Sequence, residues 1–190
     1  MSRARLFVAG GALCLAACAT AQAPAPAPDP EITPSAALAA GALARVAEGV
    51  CLAAQRTGEG TAVFVGRAGA SSLGLRPAPP PDSGWVTASG PRVLVGERQT
   101  ACFASVTDPE PGTTVALINA LAAPVGSRLE TEAPAAEGAL VRRVCRADTR
   151  LTVIEADNGD GRRVLGVAVP PKPLPCAEVS PPVPGVASGT

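Results

Sequence analysis

A pair of carboxylates can hydrolyse a glycosidic bond, one as acid and the other as base or nucleophile. Asp108, Glu130 and Glu132 are the candidates for such a pair in this chain. Sugars bind largely by stacking on aromatic rings, yet there is one tryptophan, Trp85, and no tyrosine. There is also no histidine, which removes Ser-His-Asp and Cys-His nucleophiles, histidine acid–base catalysis and histidine-ligated metals. Ser71 lies in Gly69-Ala70-Ser71-Ser72-Leu73-Gly74, which is not the G-x-S-x-G spacing of a nucleophile elbow. The sole lysine, Lys172, stands between Pro171 and Pro173, where it is badly placed to activate a serine. The chain is expected to be no enzyme and to need no cofactor.

Asp157-Asn158-Gly159-Asp160-Gly161 gathers acidic and amide oxygens in a glycine-rich stretch. A calcium loop needs ligands at alternate positions, and Gly159 and Gly161 fall where ligands are required. The segment reads better as a tight turn between strands, with Asn158-Gly159 supplying positive φ angles. The arginine pairs Arg142-Arg143 and Arg162-Arg163 could meet phospholipid headgroups, lipopolysaccharide or an acidic partner. Acids in the same half, among them Glu137, Asp148, Glu155 and Asp160, offset them, so a mixed solvated sheet face is the simpler reading. With 16 basic and 16 acidic residues and 2% aromatics, the chain lacks the charge and stacking surface for nucleic acid. Trp85, after a proline cluster, is either a core filler or an anchor for a partner.

The N-terminus supplies the most specific motif. A short basic segment, Ser2-Arg3-Ala4-Arg5, precedes an apolar run from Leu6 to Ala17. These are the proportions of a signal peptide, and the run is shorter than the roughly 20 residues of a spanning helix. The run ends in Leu15-Ala16-Ala17-Cys18, which resembles the lipobox of bacterial lipoproteins. The resemblance implies that residues 1–17 are removed, that the Cys18 sulfur carries a diacylglycerol, and that its amine takes a further fatty acyl chain such as palmitate. Three chains would anchor the protein stably, since two already suffice. Ala19, rather than Asp, after the cysteine implies the periplasmic face of the outer membrane in preference to the inner. Ordinary cleavage after Ala19 or Ala21 is the alternative, because both follow an A-x-A pattern.

Of six cysteines, Cys14 belongs to the leader and Cys18 to the lipid, which leaves Cys51, Cys102, Cys145 and Cys176. Four in an exported chain read as two disulfides. Pairing Cys51 with Cys102 and Cys145 with Cys176 keeps each bridge within one half of the chain. A four-cysteine zinc site is the rival, but no C-x-x-C pair is present.

Residues 18–34 form an Ala/Pro-rich tether that favours an extended conformation. Residues 177–190 read as a disordered tail. The single domain of 35–176 must position everything else. Ser35 can cap a helix whose Ala39, Leu43, Val46, Val50 and Ala53 share a face and which Gly58 stops, with Gln55 on the polar side. Residues 61–66, 92–97 and 100–107 read as strands, the last two as a hairpin, and 77–81 as a loop. A second helix spans about 112–122, followed by strands at 139–147, 150–156 and 162–169 that suit an antiparallel meander. The pattern predicts an α+β domain, one antiparallel β-sheet with two helices on one face, stapled by disulfides and built as two similar halves.

The chain looks like a small lipoprotein of the Gram-negative cell envelope, membrane-anchored and facing the periplasm. Such a protein is expected to act by binding an envelope protein, as an accessory, assembly or inhibitory factor. A periplasmic small-molecule or lipid-binding module is the alternative, and a carboxylate-dependent hydrolase the third reading.

Overall fold

Thr33 and Pro34 begin the first helix. Thr33 Oγ1 accepts the Ala36 N–H at 3.1 Å, and Pro34 occupies the first turn, where its missing N–H removes nothing the helix would use. The expected cap, Ser35, lies instead inside that turn, because proline's fixed φ starts the helix one residue earlier. The computed structural model describes residues 30–98, 100–130, 139–146, 148–157, 159 and 161–176. The leader, Cys18, most of the tether, Glu132, Glu137, Asn158, Asp160 and the tail 177–190 lie outside the described residues.

Helix α1 spans Pro34–Thr57 and ends at Gly58, whose φ of 70° is the left-handed cap. Its segment Ala47–Leu52 is wound in wider π turns. The buried face runs through Ala40, Leu43, Ala47, Cys51 and Ala54. The expected stripe is thus displaced: Leu43, Val46 and Val50 are buried, but Ala39 and Ala53 only half so. Gln55, expected in solvent, is 7% exposed. It donates to the Pro170 carbonyl at 2.7 Å and accepts from Thr149 Oγ1 at 3.3 Å. A π turn carries extra residues per turn, so positions beyond it no longer follow a 3.6-residue pattern. By length and composition α1 could cross a membrane, but more than half of that stretch is buried inside the domain.

Residues 61–66, read as a strand, are the start of a helix, α2 (Thr61–Ala68). A short apolar run fits either structure by periodicity alone. What decides it here is tertiary: Thr61, Phe64 and Val65 are buried while Ala62, Val63, Gly66 and Arg67 face solvent. A carboxylate oxygen of Glu97 accepts the Thr61 N–H at the helix start. Among the described residues the domain therefore has three helices rather than two, the third being α3 (Thr113–Ala122).

Eight strands among the described residues form one antiparallel sheet: β1 (Leu75–Pro77), β2 (Trp85–Thr87), β3 (Leu94–Arg98), β4 (Ala101–Thr107), β5 (Arg128–Glu130), β6 (Leu140–Arg146), β7 (Thr149–Asp157) and β8 (Arg163–Val169). Their spatial order is β1-β2-β3-β4-β8-β7-β6-β5. The hairpin and the meander are present as expected. The three-residue strands β1, β2 and β5 were not legible, since so short a run carries no alternation to read. The first half runs from α1 and α2 into the meander β1–β4 and the second from the shorter α3 into the strands β5–β8, and the two sets meet through their last strands, β4 and β8. Register pairs Cys102 with Val169 at one end of this seam and Thr107 with Val164 at the other. The core lies between the seam and the helices, with Leu43, Leu117, Leu121, Leu151, Leu165 and Val167 all fully buried. Burying each such side chain stabilises by about 1.5–3 kcal/mol.

Both disulfides are formed, Cys51–Cys102 and Cys145–Cys176. The first joins α1 to β4 across 51 residues, and the second joins β6 to the segment after β8 across 31. Replacing Cys51 and Cys102 together with alanine is expected to lower unfolding free energy by about 3–4 kcal/mol, measured by urea titration. The Cys145/Cys176 double variant should lose less, because its loop is shorter and its bridge fastens the end of the domain rather than its main helix.

Candidate functional site

Alternation along the second-half strands decides what faces the helices. Thr149, Leu151, Val153 and Glu155 are all buried on β7, and Leu165, Val167 and Val169 on β8. Register sets Leu140 opposite Glu155, Glu155 opposite Leu165 and Asp157 opposite Arg163. The helix side of this corner therefore carries Leu140, Arg142, Glu155 and Arg163. The first turns of α3 stand beside them, and a cleft of about 470 Å³ opens between, walled by Thr114, Val115 and Ile118 on the helix.

Glu155 is the buried acid of this cleft, 9% exposed. One carboxylate oxygen accepts the Thr114 hydroxyl at 2.6 Å and the other pairs with the Arg163 guanidinium. Glu110 closes one side, accepting the Ser35 hydroxyl at 2.5 Å and the Thr33 hydroxyl at 2.9 Å. These two hydroxyls, Ser35 foremost, hold its carboxyl below the usual carboxylate range. Gly112, at φ +85°, lets the chain pass directly over the start of α3. A Cβ there would lie 2.7 Å from the Glu31 carbonyl oxygen. Pro30, the first of the described residues, also lines the cleft.

The four candidate arginines do not form one patch. Arg142 and Arg163 share the cleft, whereas Arg143 takes the opposite sheet face by strand alternation. Arg162 is exposed, its Nε 3.9 Å from Asp108 Oδ2. Trp85 is half-buried on β2 against the core, at the far side of the sheet. The candidate carboxylates are also dispersed. Asp108 follows β4 and accepts the Arg163 N–H at 3.3 Å. Glu130 sits on the outermost strand, β5, and accepts Arg150 Nε at 2.6 Å. Four strand spacings separate them, about 19 Å, against the roughly 5–9.5 Å of a glycosidase pair. Around Asp157, Gly159 and Gly161 have φ of 86° and 80°, as a turn requires. Glu130 also lies close to Cys145 and Cys176, but both sulfurs are consumed in a disulfide.

The other face of the sheet carries no helix among the described residues. Phe103, Ala168, Ile154, Ala156 and Val164 line a hollow of about 340 Å³ there, bounded by Arg98 and Asp157. The tip of the Phe103 ring sits over Gly166, so closely that a Cβ there would collide with its Cζ. The Arg98 guanidinium stands over the same ring, 5.3 Å from its centroid.

Sequence reasoning singled out Arg142 and Arg163 but missed Glu155, Thr114, Glu110 and Phe103. Glu155 could have been found, because it continues the apolar alternation Leu151, Val153 and so must point inward. No family model matches the chain, and comparisons with curated proteins and with solved structures give no match.

Arg163→Met is expected to leave the Glu155 carboxylate buried without its cation and to lower stability by about 1–2 kcal/mol at neutral pH, with Glu155→Gln in the same chain restoring most of the loss. Chemical denaturation of the single and double variants measures this. Glu110 follows the sign of a depressed carboxylate: its contribution is present above its unfolded pKa and lost as pH falls through the folded value. Ser35→Ala should therefore lower the melting temperature at neutral pH and change it less in acid.

Proposed function

We propose that this chain is an exported lipoprotein, anchored through Cys18 in the bacterial envelope, whose domain acts by binding a partner there. The observation that carries the reading is the cysteine pairing. Both bridges use Cys51, Cys102, Cys145 and Cys176, so the cysteines left over are Cys14 and Cys18, the two in the leader region. Disulfides of this kind persist in oxidising compartments, and Cys18 is the residue at the lipobox-like position. Anchoring raises effective concentration toward a partner on the same membrane, and the tether sets the reach, up to about 3.1 Å per residue. The partner-binding role is that of an accessory, assembly or inhibitory factor.

A specific observation also favours the second reading, a small-molecule or lipid-binding module. The cleft beside α3 is of ligand size and sets the apolar wall of Val115, Ile118 and Leu140 against Arg142 and Arg163. The hydrolase reading finds no such support, since Asp108 and Glu130 are far apart and Glu110 is held below, not above, the usual range.

The test compares the native chain with Cys18→Ser in a Gram-negative host. The native chain is expected in the membrane fraction, labelled by palmitate and with an intact mass that begins at Cys18 plus its acyl groups. The variant should lose the label. An unlabelled chain beginning after Ala19 or Ala21 overturns the anchor. Cross-linking from intact cells then reads the binding role: a stoichiometric envelope protein captured by the anchored form supports it, and capture by neither form overturns it.

A further inference from the structure

The cleft beside α3 is charged at both ends and apolar between them. At one end Thr114, in the first turn of the helix, donates to Glu155, which register sets level with Leu140 on β6. Arg163 pairs with Glu155 there, and Glu110 stands two residues past Asp108, whose N–H donates to the Arg163 carbonyl. From this end α3 runs on towards β5, whose Arg128 is level with Cys145. Ile118 therefore lies further along the cleft than Val115, as Arg142 lies further along β6 than Leu140 on the same strand face. The apolar stretch is short: about 4.5 Å of helix separates Val115 from Ile118, and about 7 Å of strand separates Leu140 from Arg142.

We propose that this cleft binds a short zwitterionic peptide of two or three residues, its ammonium at Glu110, an apolar side chain on Val115, Ile118 and Leu140, and its carboxylate at Arg142. The proposal deepens the small-molecule reading of the same cleft and rests on it. Four charges line the cleft, two acidic and two basic, so a simple anion or cation meets repulsion as well as attraction. A ligand with both charges, separated, meets each with its opposite. Both oxygens of Glu155 are engaged, whereas Glu110 accepts the Thr33 and Ser35 hydroxyls through Oε2 alone, which leaves Oε1 for an ammonium. Those hydroxyls also keep the Glu110 carboxyl ionised. Arg163 is committed to Glu155 at the same end, so Arg142 is the cation at the far end, and a guanidinium has more donors than one partner uses. A long acyl chain would outrun the apolar stretch and end against charge, which is costly. Two or three extended residues span about 7–11 Å, comparable with the run of the cleft along β6.

The test uses the full chain with Cys18→Ser, so that no acyl group can enter the cleft, and calorimetric titration with the tripeptide alanyl-leucyl-alanine. The free tripeptide should bind one site per chain with submillimolar affinity. Acetylating its amine or amidating its carboxylate should each weaken binding about tenfold or more, since each removes one charge-assisted contact. Glu110→Gln should weaken the free tripeptide by a similar factor and leave the acetylated form unchanged. Arg142→Met should likewise weaken the free form and leave the amidated one unchanged, so each pairing is read as a double-mutant cycle. Circular dichroism confirms the fold of each variant, and the modified peptides probe the cleft with its side chains intact. A tripeptide that does not bind at ~1 mM overturns the proposal, and so does an acetylated or amidated form that binds equally well. Dodecanoate separates this failure from failure of the reading beneath it. The fatty acid bound in place of the peptide overturns the zwitterion and leaves a small-molecule site of another class, whereas binding of neither overturns both. Peptide binding that appears only when residues 131–138 are replaced by a glycine linker also overturns the proposal, since the chain itself would then be the occupant.

Discussion

The pairing of β4 with β8 is the constraint on which the rest of the domain depends. Neither half could bury its sheet alone: β1–β4 has two three-residue strands at its outer side, and β5–β8 has one. Six paired positions along the seam turn two small meanders into one sheet broad enough to carry α1 and α3 side by side. Apolar side chains from both strands, Ala104, Val106, Leu165 and Val167, meet on the helix side of the seam and are almost fully excluded from water. Cys102 belongs to the same row, which is why the bridge from Cys51 fastens α1 across the junction rather than at a margin.

Two-residue periodicity then settles where chemistry can occur. Each strand of the seam region offers one face to the core and one to solvent, so a charged residue in register with core positions is forced inward. Glu155 is such a residue. Its burial is tolerable because Thr114 from α3 and Arg163 from β8 satisfy both carboxylate oxygens, as a buried charge requires. The cleft with its mixture of apolar wall and paired charge is a consequence of that requirement.

Much of this architecture is legible in the sequence. The long alternations in β4, β7 and β8, the stop at Gly58 and the short connections of the last three strands specify an antiparallel sheet with helices on one side, and cysteine parity specifies two bridges. The departures have physical causes. Residues 61–66 are helical because Glu97, distant in sequence, caps Thr61 and because burial of Phe64 and Val65 at helical spacing outweighs the β propensity of a valine- and phenylalanine-rich run. The face of α1 shifts where its π turns break the 3.6-residue period, which buries Gln55. The cleft is only half legible. Arg142 and Arg163 are conspicuous as members of arginine pairs, but adjacency in sequence is what separates neighbours on a strand, so Arg143 is bound to face away from Arg142.

The two ends of the sheet are held by different means, and this orders the molecule along one axis. Cys102, Val169, Arg150, Cys145 and Arg128 lie at one end by register. Both disulfides and the buried Gln55 network are there, so that end is covalently fastened. The opposite end holds Glu155, Arg163, Asp108, Glu110 and the first turns of α1 and α3, joined by hydroxyl–carboxylate bonds and ion pairs. It is also where Pro30 leaves the domain. Polar contacts of this kind are individually worth about 1 kcal/mol, whereas a disulfide closing tens of residues contributes several. Local opening therefore costs least at the end near Pro30 and most at the far end. The cleft occupies the region of the fold that opens most readily, and the bridges confine that opening to it.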